Sequence, residues 1–108
     1  MVKYQNLDHT FAALADTRRR AIVQRLAHGH ECTVSDLASP LGLSLPAAMK
    51  HINVLTRAGL ITRQKRGRSV HCRLQPAALK HASGWLAEQQ RFWEASLDAL
   101  DDFLRSTE

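Results

Sequence analysis

Between residues 34 and 58 two stretches of helical periodicity are separated by a turn of only Gly42 and Leu43. So short a turn forces the two helices to pack directly against each other, the helix-turn-helix arrangement. The first stretch, 34–41, puts Val34, Leu37, Ala38 and Leu41 on one stripe. Thr33 and Asp36 stand in front of it as a capping pair, and Pro40 is expected to loosen its last turn. The second stretch, 45–57, opens with Ser44 as cap and Pro46 in the first turn, where a missing N–H costs nothing. Gly59 closes it after Ala58.

The next stretch of chain is strand-like. Residues 60–65 and 69–74 flank a turn at Arg66-Gly67-Arg68, and Val70, Cys72 and Leu74 alternate with Ser69, His71 and Arg73. A hairpin directly after a helix-turn-helix is a wing. Upstream, Leu7, Phe11 and Leu14 predict a helix over 7–15. Asp16 caps a second helix over 17–27, with Ile22, Val23 and Leu26 inward. Gly29 is expected to end it in a left-handed conformation, and Glu31-Cys32-Thr33 reads as a short strand. From 76 to about 104 the pattern is helical again, with Leu79, Ala82, Leu86, Gln89, Trp93, Leu97, Leu100 and Leu104 at 3-4 spacing. Trp85, Phe92 and Phe103 widen that stripe. With no repeats or linkers, the 108 residues are expected to form one domain. The predicted fold is mainly α with a small β-hairpin wing, a winged helix-turn-helix: helix-turn-helix about 34–58, wing about 60–74, last helix about 76–104.

Charge is unevenly spread. Residues 17–73 hold eleven Lys and Arg against two acids, Glu31 and Asp36, a net of +9. Residues 75–108 hold three bases against six acids, a net of −3. A basic middle with an acidic tail predicts that the middle faces a polyanion; the plainer alternative is solvated surface charge. The longest apolar run, residues 11–15, is far short of a membrane span, and the first six residues have no signal-like apolar stretch. The expected setting is the cytoplasm.

The 45–57 helix carries the sharpest expectation. With Ile52 at the centre of its inner face, Leu45, Ala48, Leu55 and Thr56 fall on the same side. Pro46, Ala47, Lys50, Asn53, Val54 and Arg57 fall outside, with Met49 and His51 on the flanks. The outward face therefore has two cations and no acid. The N-terminal part of such a helix meets base edges in the major groove, which makes Ala47, Lys50 and His51 base-edge candidates and Met49 a contact for a thymine methyl. His51 has a second reading, as a neutral histidine packed on the neighbouring helix. Ser44 and Pro46 begin the contact surface, and Arg57, two turns on, suits a phosphate. In the wing, Arg63, Lys65, Arg66 and Arg68 can reach phosphates or a narrow minor groove, positioning the protein more than selecting sequence.

Several segments, in order, resemble the arsenic-repressor-type (ArsR/SmtB) regulators. Residues 14–23, LADTRRRAIV, are similar to that family's "LADPTRRAIL". Residues 43–52, LSLPAAMKHI, resemble its recognition helix, "MSLPAVSKHL". Residues 54–61 and Arg66-Gly67-Arg68 resemble the family's next segment and its wing, and the tail around Trp85-Leu86 and Phe92-Trp93 resembles the last helix of the subgroup without metal sites. The resemblance spans roughly residues 7–105. It implies a homodimeric repressor on a palindromic operator, dimerising through the first and last helices. The residues expected at that interface are Leu7, Phe11, Leu86, Phe92, Trp93, Leu97, Leu100 and Leu104. The wide stripe on 79–104 agrees, since so small a chain offers it little cover; packing on the chain's own first helix alone is the alternative. Three positions depart from the family pattern: Thr17 for proline, Arg18 for threonine, which adds a charge near the DNA, and Met49 for serine.

Metal-sensing members carry Cys-x-Cys in the third helix, where this chain has Thr33 and Ser35, so no metal site and no cofactor is expected there. The zinc-sensing pattern of the last helix is missing too. His28, His30 and Cys32 alternate and read either as soft-metal ligands or as a polar turn beside a buried thiol. Cys32 and Cys72 become neighbours if the short strand joins the hairpin; they read as two small apolar residues or as a redox pair. The function expected is sequence-specific DNA binding by a transcriptional regulator. The competing class is a winged helix that binds an acidic protein. No Ser/His/Asp set, Cys/His set or phosphate loop supports an enzyme.

Overall fold

The computed structural model describes residues 2–107, with side chains from Leu7 to Thr107. Helices α1 (Val2–Leu14) and α2 (Thr17–Gly29) lead into strand β1 (Glu31–Thr33), helix α3 (Val34–Ala38) and a 3₁₀ turn over Ser39–Leu41. Then come α4 (Leu45–Arg57), β2 (Ile61–Arg66), β3 (Ser69–Leu74) and the long α5 (Pro76–Ser106).

The starts of these elements are chemically local. The Asp16 carboxylate accepts from the Arg18 and Arg19 amides at 2.8 and 3.2 Å, which holds its pKa below the usual range. Thr33 and Asp36 exchange bonds of 3.1 Å each, a complete capping box, and the bond from the Thr33 amide to the carboxylate holds the Asp36 pKa below its ordinary value. Ser44 Oγ accepts from the Ala47 amide at 3.2 Å. Pro40 tightens the end of the third helix into the 3₁₀ turn, and Gly42, with φ +65°, turns the chain toward α4. These groups satisfy N–H donors that the first helical turn leaves orphaned.

One terminus differs from expectation. Gly29 stays inside α2, and the left-handed residue is His30, at φ +66° and ψ −63°. The His30 amide still donates to the Leu26 carbonyl at 3.1 Å, so the helical bonding runs one residue past Gly29 before the chain reverses.

The strands form one antiparallel sheet in the order β1-β3-β2, so the short strand does join the hairpin. In the register, Glu31, Cys32 and Thr33 face Arg73, Cys72 and His71. On the other side of β3, Arg63, Lys65 and Arg66 face Cys72, Val70 and Ser69. Gly67 takes φ +60°, which the first central position of a type II′ hairpin turn requires. The core lies between α2, α3, α4 and the sheet, around Ile22, Leu26, Leu37, Ile52, Leu55, Leu60 and Ile61.

α5 departs from this body. At 31 residues it is about 46 Å long, and Ala82 is its one buried residue among those described. Its N-terminal part lies on α1, where Phe11 meets Trp85 edge-on at 5.8 Å. Beyond Gln90 every described side chain is exposed. The radius of gyration is 19.0 Å, against about 13 Å for a compact chain of this length. No helix among the described residues is long and apolar enough to cross a membrane.

Candidate nucleic-acid interface

α4 is divided sharply by burial. Ala48, Ile52 and Leu55 are fully buried, while Lys50 and Arg57 are exposed on the other side. Neither cation has an acidic partner within 4 Å among the described residues. Two positions differ from the sequence expectation. Leu45, expected inside, is 53% exposed, because the core ends one turn below it at Ala48. Val54, expected outside, is half-buried against the core, as is Met49. Thr56 is half-buried and donates its hydroxyl to the Ile52 carbonyl at 2.7 Å. Ser44 and Pro46 are exposed at the helix start, and Ala47 is half-buried.

The wing has two chemically distinct faces, because alternate residues of a strand point to opposite sides. Arg63 and Lys65 share the parity of Cys72 and Val70, the face toward the helices. Arg63 donates to the Asn53 side chain of α4, so the wing is tied to the recognition helix. Arg68, at the hairpin tip, lines a cleft with Leu45 and Met49 of α4 and Val34 of α3. Lys65 and Arg68 also lack an acidic partner within 4 Å among the described residues.

Arg66 lies on the opposite face and is engaged elsewhere. It donates to both Glu31 oxygens, at 2.8 and 3.2 Å, and to Gln64 at 3.3 Å. His71 and Arg73 also stand 3.2 and 3.7 Å from that carboxylate. The Arg66 hydrogen bond, with the nearby positive charge, holds the Glu31 pKa below its ordinary value. Glu31, one of only two acids between residues 17 and 73, therefore neutralises part of the wing.

Arg18 is exposed at the start of α2, as expected. Its neighbours have roles that sequence reasoning missed. Arg19 donates to the Ala13 and Ala12 carbonyls at 2.6 and 3.2 Å, and Arg20 to the Leu14 carbonyl at 2.7 Å. These guanidiniums close the C-terminal end of α1, where carbonyls lack helical partners. Arg19 Nη1 also lies 3.4 Å from His51 Nδ1. A guanidinium only donates, so as a hydrogen bond this contact has Nδ1 as the acceptor. Half-buried, His51 packs on Arg19 of the neighbouring helix α2. A signal for this was available. Three arginines at a helix N-terminus oppose the helix dipole, and such a run, two residues past another helix end, calls for a second use.

A family profile described as a helix-turn-helix domain matches residues 14–64, from the end of α1 into β2. The HTH-type transcriptional regulator Rv2034 of Mycobacterium tuberculosis is 38% identical over 106 residues, 98% of this chain and 95% of that protein. The chain belongs to the ArsR/SmtB family of winged helix-turn-helix transcriptional regulators. A crystal structure of an ArsR family transcriptional regulator is 43% identical, superposes with a TM-score of 0.78, and is matched over 83% of this chain and 92% of its own. The arsenical resistance operon repressor of Escherichia coli is 37% identical over 78 residues, 72% of this chain and 63% of that protein. This ArsR-type chain is thus a regulator of transcription and not an enzyme. His28 and His30 are exposed while Cys32 is buried, and among the described residues no three His, Cys, Asp or Glu side chains gather as for a metal ion.

Of the residues expected at an interface between copies, Leu7 is 6% exposed and already covered by its own chain. Phe11, Leu86, Phe92, Trp93, Leu97, Leu100 and Leu104 range from 36% to 66% exposed, and Phe103 joins them at 62%.

Proposed function

We propose that this ArsR-type regulator is a homodimeric repressor that seats one α4 helix per protomer in the major groove of each half of a palindromic operator. The observation that carries the reading is the outward face of α4, where Lys50 and Arg57 are exposed with no acidic partner within 4 Å among the described residues. Lys50 is assigned a base edge, with His51 beside it and Ala47 allowing close approach. Leu45 and Met49 supply apolar contact for a thymine methyl. Ser44 and Pro46 border the groove at the helix start. Arg57, Lys65, Arg68 and Arg18 are assigned to phosphates, which orient the protein and contribute most of the salt-dependent affinity, while Arg63 holds the wing on α4 through Asn53.

The dimer is formed by α1 and α5. Phe11 and Leu86 begin its apolar seam, and Phe92, Trp93, Leu97, Leu100 and Leu104 extend it along α5. Residues 1–108 act as one DNA-binding unit in the cytoplasm, where the operator is. Two helices related by a two-fold axis suit half-sites about one turn of duplex apart, roughly 34–36 Å.

Gel retardation on the promoter fragment of its own gene tests the function, run from low to physiological salt. A shifted complex whose affinity falls by about 10³-fold or more between 50 and 200 mM salt is expected if six or more phosphates are neutralised. No retardation at low salt would sink the proposal in favour of an acidic protein partner.

The two wing faces make a further distinction testable. Arg68→Ala should weaken operator binding several-fold, whereas Arg66→Ala, whose charge is already offset by Glu31, should change it less. Glu31→Gln should strengthen binding to all sequences and steepen the salt slope. Equal losses for the two arginine variants would show that the Glu31 pair opens on DNA.

A further inference from the structure

Cys32 and Cys72 face each other across the sheet as direct register partners of β1 and β3. Both thiols are free, and both are buried. Paired residues of an antiparallel ladder hold their Cα atoms about 4.5–5.5 Å apart, inside the roughly 4.4–6.8 Å that a disulfide spans. Directly opposed residues also send their side chains to the same face of the sheet. Their Cβ atoms, about 4.5–5.5 Å apart in such a pair, must close to about 3.5–4.5 Å for the bond, a shift of about 1 Å.

The two thiols differ in access. Cys32 lines a groove of about 500 Å³ with Arg25, His28, Gly29, Leu37 and Leu41. It keeps 9% exposure, whereas Cys72 has none. Arg25 is exposed at the same groove. Behind it, burial pushes the Cys72 thiol up, opposed by the charge of Arg63, its partner on β2.

We propose that Cys32 and Cys72 form an oxidisable dithiol site, with Cys32 attacking a small peroxide admitted through the groove and Cys72 resolving the product. The Cys32 thiolate attacks one peroxide oxygen. The O–O bond breaks, the other oxygen leaves as water, and Cys32 becomes a sulfenic acid. The Cys72 sulfur then attacks the Cys32 sulfur. The S–S bond forms, the S–O bond breaks, and the second oxygen leaves as water. Two thiols lose two electrons and two protons, and the peroxide takes up both. The bond encloses α3, α4 and β2 in one covalent loop, so it ties the wing to the helical body in the arrangement already present. It restricts the unfolded chain far more than the folded one.

The full chain is treated with hydrogen peroxide under native conditions, quenched with an alkylating agent, and analysed by intact mass, peptide mapping and melting. The expected product has lost two hydrogens, takes up no alkyl group, and yields a peptide joining Cys32 to Cys72. Its Tm is higher by about 10 °C, and dithiothreitol reverses the change. Cys72→Ser should stop at a Cys32 sulfenic acid trappable by dimedone, while Cys32→Ser should leave Cys72 reduced. The proposal is overturned if folded wild-type protein keeps two alkylatable thiols, carries a sulfinic acid on either cysteine, or links only between chains. Because that mapping uses wild-type protein, it stands even if a serine variant fails to fold.

Discussion

Replacing Leu97 and Leu100 together by glutamate is expected to yield a monomer in sedimentation velocity, with operator affinity reduced by at least about 100-fold. Leu97 is 58% exposed and Leu100 53%, in a stretch of α5 where no described side chain is buried by its own chain. Moving an apolar side chain of this size from water into a packed seam contributes roughly 1.5–3 kcal/mol. A two-fold interface uses each position twice, so two substitutions remove four such groups and place four carboxylates in the apolar seam. Asp98, Asp101 and Asp102 already surround the site with negative charge. The affinity falls because a dimer binds its second half-site as an intramolecular event, an advantage lost on dissociation. Circular dichroism should also show less helix, since an unpacked helical extension of this length is marginal in water. A dimer of unchanged strength would move the interface away from the C-terminal half of α5.

Lys50→Ala should cost roughly 2–6 kcal/mol of operator affinity, counting about 1–3 kcal/mol of base discrimination in each half-site. The loss should be concentrated at one base position per half-site, and binding to random duplex should change far less. Lys50 projects from a helix whose opposite face is fully buried at Ala48, Ile52 and Leu55, so its backbone is held firmly. The variant removes a charge but no packing, and its melting temperature should match wild type. Arg57→Ala serves as the contrast: a phosphate contact weakens all sequences alike and lowers the salt slope by about one. Equal losses on specific and random DNA for Lys50→Ala would rule out base reading and leave Lys50 another phosphate ligand.

Much of this architecture is legible in the chain itself. The starts of α2, α3 and α4 are readable because Asp16, Thr33, Asp36 and Ser44 bond to amides two or three residues away. The hairpin is readable because alternation and Gly67 are likewise local, and the family segments fix the order of the rest. The departures from expectation share a different cause. Leu45 has the right spacing for the inner face, yet the core stops at Ala48, and periodicity cannot say how far a core extends. Gly29 has the character of a turn residue, yet the helical bonding runs one residue further, and His30 takes the unusual backbone angle.

The sequence by itself determined which segments are helix, turn and strand, which helix face is apolar, and that residues 17–73 carry the positive charge. Those properties depend on neighbours within a turn or two along the chain. Only the tertiary structure decided which charges remain available. Glu31 claims Arg66 from 35 positions away, Arg19 serves the end of α1 and His51 rather than solvent, and Arg63 braces the wing against Asn53. Only the fold set Cys32 opposite Cys72, and only the fold left the far half of α5 uncovered. Each of these depends on how the elements pack, and packing brings together residues whose separation along the chain carries no local signal of their contact.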